Sequence, residues 1–204
     1  MEFNFLFKGF IIGFAIAAPV GPIGILCIRR TLVDGRLAGF ISGLGAATAD
    51  MSYGAIAAFG LTFIQNLLVG LQFWFHMVGG LFLIYLGIRT FLAQPAQKAV
   101  AIRSTSGLLS LYFSTLGLTL ANPATIISFA VIFAGLQLGN THGNYYSAFT
   151  LVLGVFLGSG AWWLTLSGIC GYFREKFTPE WMVWVNRSAG VLIGGFGLIA
   201  VLFR

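Results

Sequence analysis

From Ser104 to Phe173 the chain carries no Lys, Arg, Asp or Glu. A water-facing surface cannot be built from such a run, because soluble domains draw about a quarter of their residues from those four types. The remainder has the same character: 58% of the 204 residues are hydrophobic, 8% are charged and the mean hydropathy is +0.95. Apolar runs of about 18 residues or more are what a bilayer requires of a spanning helix. The sequence therefore reads as one all-α polytopic membrane domain over 1–204.

The apolar runs predict six transmembrane helices, at 6–28, 37–61, 70–92, 107–134, 145–172 and 181–203. The first run is too long for a signal-peptide core and contains two prolines, so it is kept as a helix of the mature chain. The longest connection, 93–106, carries Pro95, Lys98 and Arg103 and reads as a polar cytoplasmic linker between two three-helix halves, 1–92 and 107–204. Basic residues follow the first helix (Arg29, Arg30, Arg36), the third (Arg89, Lys98, Arg103) and the fifth (Arg174, Lys176), but not the second or fourth. Cytoplasmic loops hold the excess of positive charge, which puts these three connections inside and both termini outside. The formal charge of +6 is thus accounted for by topology. A nucleic-acid partner is excluded, since it would need a solvent-facing basic surface with aromatics to stack on.

Three helices on each side of the linker place the halves in opposite orientations and predict a 3+3 inverted repeat. Setting Pro22 over Pro123 aligns "GFAIAAPVGPIGI" with "STLGLTLANPATI", two helices rich in small residues and interrupted at matching depth. Proline removes a backbone donor and clashes with the preceding turn. In lipid the freed backbone groups are tolerated only where protein or a water-filled cavity covers them. Secondary transporters place such breaks at the membrane midplane, where half-helix ends meet substrate and ions. Broken helices 1 and 4, with Pro19, Gly21, Pro22 and Pro123 at the breaks, therefore point to a substrate site; simple proline kinks are the competing reading.

Asp50 is the one carboxylate inside any predicted membrane segment. An ionisable group at that depth costs at least ~2.5 kcal/mol on insertion scales and faces a pathway or a partner as a rule. It is the candidate for substrate contact and for carrying a proton; a structural carboxyl bonded to a neighbouring helix is the alternative. Tyr53, one turn along the same face, is placed to bond Asp50 or a ligand. Asn122 beside Pro123 could hold a carboxylate or an ammonium group, or cap the broken helix. Arg187, six residues into the last helix, is read as a gate or a lipid-headgroup anchor. Trp162 and Trp163 would face the Asp50 region if the repeat holds.

Metal, haem and other cofactors are not expected, because His76 and His142 have no partner at ligand spacing. Cys27 and Cys170 suggest neither a disulfide framework nor a metal site and read as packing residues. Small-xxx-small pairs such as Gly9/Gly13, Gly154/Gly158 and Gly190/Gly194 allow close helix contact. Six helices make a thin wall around a cavity, which mildly favours a homodimer.

The early "APVGPIG", the Gly-rich second helix with "ATAD" and Tyr53, "LTLANPATI" and the closing "NRSAGVLIGGFGL" together resemble the lysine exporter (LysE/RhtB-type) family. The resemblance spans nearly the whole chain. It implies export of amino acids or close derivatives across the bacterial inner membrane, energised by the proton gradient. By carry-over Pro19, Gly21 and Pro22 match the helix 1 motif, Asp50 the helix 2 acid, and Asn122 and Pro123 the helix 4 motif. Family members often carry Pro-Gly-Pro where this chain has Pro19-Val20-Gly21-Pro22, a departure that alters the local break. The expected partners are an amino acid, protons and the lipid bilayer. A passive channel, an exporter of another small metabolite or cation, and an intramembrane enzyme are the competing classes. The enzyme lacks a second catalytic group near Asp50.

Overall fold

A computed structural model describes residues 2–19, 21–59, 71–93, 105–122, 125–126, 128–129, 145–174 and 179–202. Among them lie seven helices and no strand: α1 Glu2–Ala17, α2 Pro22–Asp34, α3 Arg36–Ala58, α4 Gln72–Phe91, α5 Thr105–Leu120, α6 Tyr145–Phe173 and α7 Pro179–Leu202. The 93–106 linker, apart from its ends, and Pro123 lie outside the described residues. By length and apolarity α6 and Val183–Leu202 of α7 can each cross a bilayer, and the bent pair α1–α2 would make a third span. Met77–Phe91 and Gly107–Leu120 are apolar but shorter.

The predicted first helix is two helices. α1 stops at Ala17 and α2 starts at Pro22, with an angle of 82° between them. Pro22 occupies the first turn of α2, where its missing N–H is one that no helix could pair anyway. The fourth segment is interrupted too: α5 ends at Leu120, Ala121 and Asn122 are non-helical, and a new turn starts where the amides of Thr125 and Ile126 bond the Asn122 carbonyl at 3.1 and 3.3 Å. α2 runs on beyond the predicted helix end to Asp34, so Arg29 and Arg30 are helical rather than part of a loop. The connection to α3 is Gly35 alone, at φ +107°, a conformation that L side chains rarely adopt.

Glycine decides which helices can touch. α1 packs on α6 through Gly9 and Gly13 facing Gly154 and Gly158, and a Cβ at any of the four would run into the other helix's backbone. α3 approaches α5 at Gly45, against the Tyr112 carbonyl, and α4 packs on α7 at Gly87, Gly190 and Gly197. α3 also lies along α6, so it sits at the centre with α2, α5 and α6 around it. Its buried residues include Ala46, Ala47, Ala49, Ala58 and Asp50. Many large side chains point outward instead: Phe7, Leu81, Tyr85, Leu92, Leu157 and Leu202 are all exposed. Small residues at the helix contacts and many large apolar ones outside is the arrangement expected where lipid is the solvent and close backbone contact holds helices together.

Gly158 and Gly160 test this packing side by side. Gly158→Ala should destabilise the detergent-solubilised protein by about 1–3 kcal/mol, because the added methyl meets the Phe10 backbone. Gly160→Ala, with nothing within 4 Å, should leave the melting temperature unchanged or slightly raised. Equal melting temperatures for the two variants would contradict the packing described.

Candidate functional site

The two helix breaks face one another across a cavity of about 390 Å³. Pro19, Gly21 and Pro22 line it from the α1–α2 break, and Ala121, Asn122 and Thr125 from the end of α5. Leu83 of α4 and Phe196 and Ile199 of α7 form an apolar wall, and no ionisable side chain is among its described lining residues. A smaller cavity of about 60 Å³ adjoins it and shares Pro19, Gly21, Pro22, Asn122 and Thr125. Asp50, Ala46, Thr119 and Trp163 complete its walls.

Local backbone chemistry shapes this site. Ile23 and Gly24, at the start of α2, have no carbonyl one turn back to receive their amides and both line the smaller cavity. Asn122 bends back on the turn that follows it, with Nδ2 donating to Thr125 Oγ1 at 3.0 Å. At the other end of the break, the Leu120 carbonyl accepts a hydrogen bond from the Tyr53 hydroxyl. Such last-turn carbonyls lack intrahelical partners, so Tyr53 closes the end of α5 in the way a cap would.

Asp50 projects from α3 and is 3% exposed. Ser159 Oγ of α6 donates to Asp50 Oδ2 at 2.7 Å, and Trp163 Nε1 donates to the same Ser159 oxygen at 3.1 Å. The chain Trp163 → Ser159 → Asp50 orients the carboxyl from a neighbouring helix. Gly43 makes room for it, since a Cβ there would strike the Trp163 side chain. Among the described residues no group of three His, Cys, Asp or Glu could hold a metal ion.

Of the residues singled out from sequence, Pro19, Gly21, Pro22 and Asn122 border both cavities and Asp50 borders the smaller one. Tyr53 lines neither; it is buried against Phe129 and its hydroxyl goes to Leu120 rather than to Asp50. Arg187 is exposed on α7 and lines neither cavity. Trp163 reaches the Asp50 region, whereas Trp162 packs edge-on against Phe14. Ser159 was not foreseen. Its only signal is a hydroxyl one turn before Trp163 in a glycine-rich segment, and nothing local says that it faces α3.

Arg30 was foreseen only as a basic loop residue, and is instead 6% exposed. Its Nη1 donates to Ser42 Oγ (2.9 Å), Thr115 Oγ1 (2.7 Å) and the Leu111 carbonyl (3.1 Å), and Nη2 to Ser114 Oγ (2.9 Å). Nearby, Arg29 Nε donates to Asn186 Oδ1 at 2.9 Å, and Arg174 donates to the Leu32 and Val33 carbonyls at the end of α2.

Residues 14–203 match the LysE type translocator family, and the chain belongs to it. It is 27% identical over 200 residues to a Bacillus subtilis (strain 168) protein named "Putative amino acid efflux protein YcgF", covering 95% of this chain and 93% of that one. It is 25% identical over 174 residues to "Uncharacterized membrane protein YahN" of Escherichia coli (strain K12), covering 84% of this chain and 77% of that one. No solved structure matches the chain at a significant level.

Removing the Ser159 hydroxyl leaves the Trp163 N–H and the Asp50 carboxyl short of a partner each. Ser159→Ala should therefore lower stability by about 1–3 kcal/mol, read as the thermal midpoint of the purified protein. Ser159→Thr, which keeps the hydroxyl, should lose less, and equal losses would argue against the hydrogen-bond chain.

Proposed function

We propose that this member of the LysE type translocator family exports amino acids with uncharged side chains across the bacterial inner membrane in exchange for protons. The observation that carries the reading is the position of Asp50, a buried carboxyl on a small cavity that adjoins the space between two broken helices. A cavity of about 390 Å³ is in the range of small-molecule sites. The YcgF name adds weight to amino acids as cargo.

In this reading the amino acid's head group sits at the polar side, near Asp50, Asn122, Thr125 and the start of α2. Unpaired amides at a helix N-terminus favour a carboxylate. The ammonium group is held by break carbonyls, Asn122 and Asp50. The side chain points to the wall of Leu83, Phe196 and Ile199, which offers nothing to a charged group. Pro19, Gly21, Pro22 and Pro123 keep the helices interrupted, and Tyr53 acts on the site by holding the end of α5. Arg187, exposed on α7, fits a lipid-headgroup anchor better than a gate.

Six spans in a 3+3 inverted repeat, with both termini outside, complete the proposal. Two features support the repeat: α1 and α5 each stop at a break, and α1 pairs with α6 as α5 pairs with α3. That exchange of partners is what a two-fold relation between halves would produce. Transport then proceeds by rocking one half against the other. A proton from outside binds Asp50 as the substrate leaves, and is released inside on the return. A homodimer would thicken the thin helical wall.

Cells loaded with a mixture of dipeptides and expressing the protein should release one or a few uncharged amino acids faster than cells without it. Asp50→Asn at matched membrane levels should lose export against a gradient, by at least about tenfold. Wild-type uphill export by this variant would remove Asp50 from the coupling step. Flux that never saturates and shows no counterflow would replace the carrier by a pore.

A further inference from the structure

Arg30 is a permanent cation buried where three helices meet, and the transport reading gives it no task. Its four acceptors are hydroxyls and a backbone carbonyl, and among the described residues it has no ion pair. Arg remains protonated in proteins, so the charge cannot be shed to escape the cost of burial. The carboxylate in electrostatic reach is Asp34, which is shared with Arg29 and Arg174. Among the described residues, one negative charge set against three positive ones leaves this end of α2 with a net positive field.

The position is as informative as the charge. Ser42 lies four residues before Ala46 on α3, and Thr115 four before Thr119 on α5; Ala46 and Thr119 both line the smaller cavity. The third wall of that cavity is the start of α2, and Arg30 lies six residues past Gly24, about 9 Å along the axis. The guanidinium therefore plugs the same α2–α3–α5 junction one turn beyond the cavity, toward the basic end of the bundle. It is pinned there by hydrogen bonds from both α3 and α5.

We propose that Arg30 is a charge filter at the inner mouth of the substrate site: it rejects cationic amino acids on their way from the cytoplasm to the cavity. The proposal rests on the exporter reading and on the basic end facing inward. A fixed Arg in a narrow path raises the barrier to solutes that carry a net positive charge, by electrostatic repulsion. A neutral zwitterion feels the charge only as a dipole, whereas a lysine or arginine substrate carries a net positive charge toward it. Neutral acceptors suit this role better than a carboxylate, which would cancel the field. The consequence is specific: this member of a family whose name comes from lysine export should refuse lysine.

The experiment uses the full chain reconstituted in vesicles loaded with equimolar L-alanine, L-leucine, L-methionine and L-lysine, with exchange followed by mass spectrometry. Wild type should move one or more of the neutral three and exclude lysine. Arg30→Gln should raise lysine exchange about tenfold or more, as expected for one charge removed at about 10 Å in a medium of effective dielectric about 20. Arg30→Lys keeps the charge but loses the forked hydrogen bonds, and should still exclude lysine. Thr115→Asp keeps Arg30 and neutralises it in place, so it should admit lysine even if Arg30→Gln fails to fold. Lysine exclusion persisting in the folded neutralised variants, or lysine entering Arg30→Lys as readily as Arg30→Gln, would overturn the filter. Wild type that carries lysine with the neutral amino acids would overturn the filter alone and leave the exporter standing. Wild type that carries none of the four would remove the exporter reading and the filter with it.

Discussion

Hydrocarbon supplies no hydrogen bonds, and the interior of this protein is organised around that lack. Wherever a helix stops short, its amides and carbonyls must find partners in protein or border a polar space. The break between α1 and α2 and the break after α5 do both. Leu120 is satisfied by Tyr53 from α3, Asn122 restarts the chain by accepting from Thr125 and Ile126, and the first amides of α2 border the smaller cavity. Placing two breaks opposite each other concentrates polar backbone at one level of the bundle. That is the level at which Asp50 is found.

A second constraint follows from the first. To bring two broken helices together around α3, the surrounding helices must approach closely, and glycine is the residue that permits it. α1 reaches α6 across four glycines, and α3 reaches α5 and α6 at Gly45 and Gly43. The same close approach lets Ser159 reach Asp50 and lets Ser42 and Thr115 converge on Arg30. Two ionisable side chains of opposite sign are thus buried at different levels of one junction. Neither has an ion pair among the described residues, and each is instead held by hydroxyls. Hydroxyl partners satisfy hydrogen bonds without cancelling charge.

Some of this was legible from residue order. The prolines at 19 and 22 announce the first break, and Asn122 stands at the second. Asp50 stands out because nothing else of its kind lies in an apolar run. Arg30 was misread for a physical reason: loop arginines and arginines in the last turns of a helix look alike in sequence, and charge alone counts them both as flanking residues. Helical spacing places Tyr53 to bond Asp50 or a ligand, yet its side chain is long enough to carry the hydroxyl from α3 to a carbonyl that the break in α5 leaves open. Ser159 could not be found at all, since a serine in a glycine-rich helix carries no mark of what it faces.

The sequence by itself determined the solvent, the class of fold and the positions of the interruptions. Each of these depends on local composition: a long uncharged run must lie in lipid, and proline breaks a helix wherever it falls. Tertiary structure alone decided which interruptions meet, which helix supplies a partner to Asp50 and how deep Arg30 is buried. Those contacts join residues 109 positions apart for Asp50 and Ser159 and 85 apart for Arg30 and Thr115. Over such distances no periodicity along the chain carries information. Only the fit of one helix surface against another brings the groups within hydrogen-bonding reach.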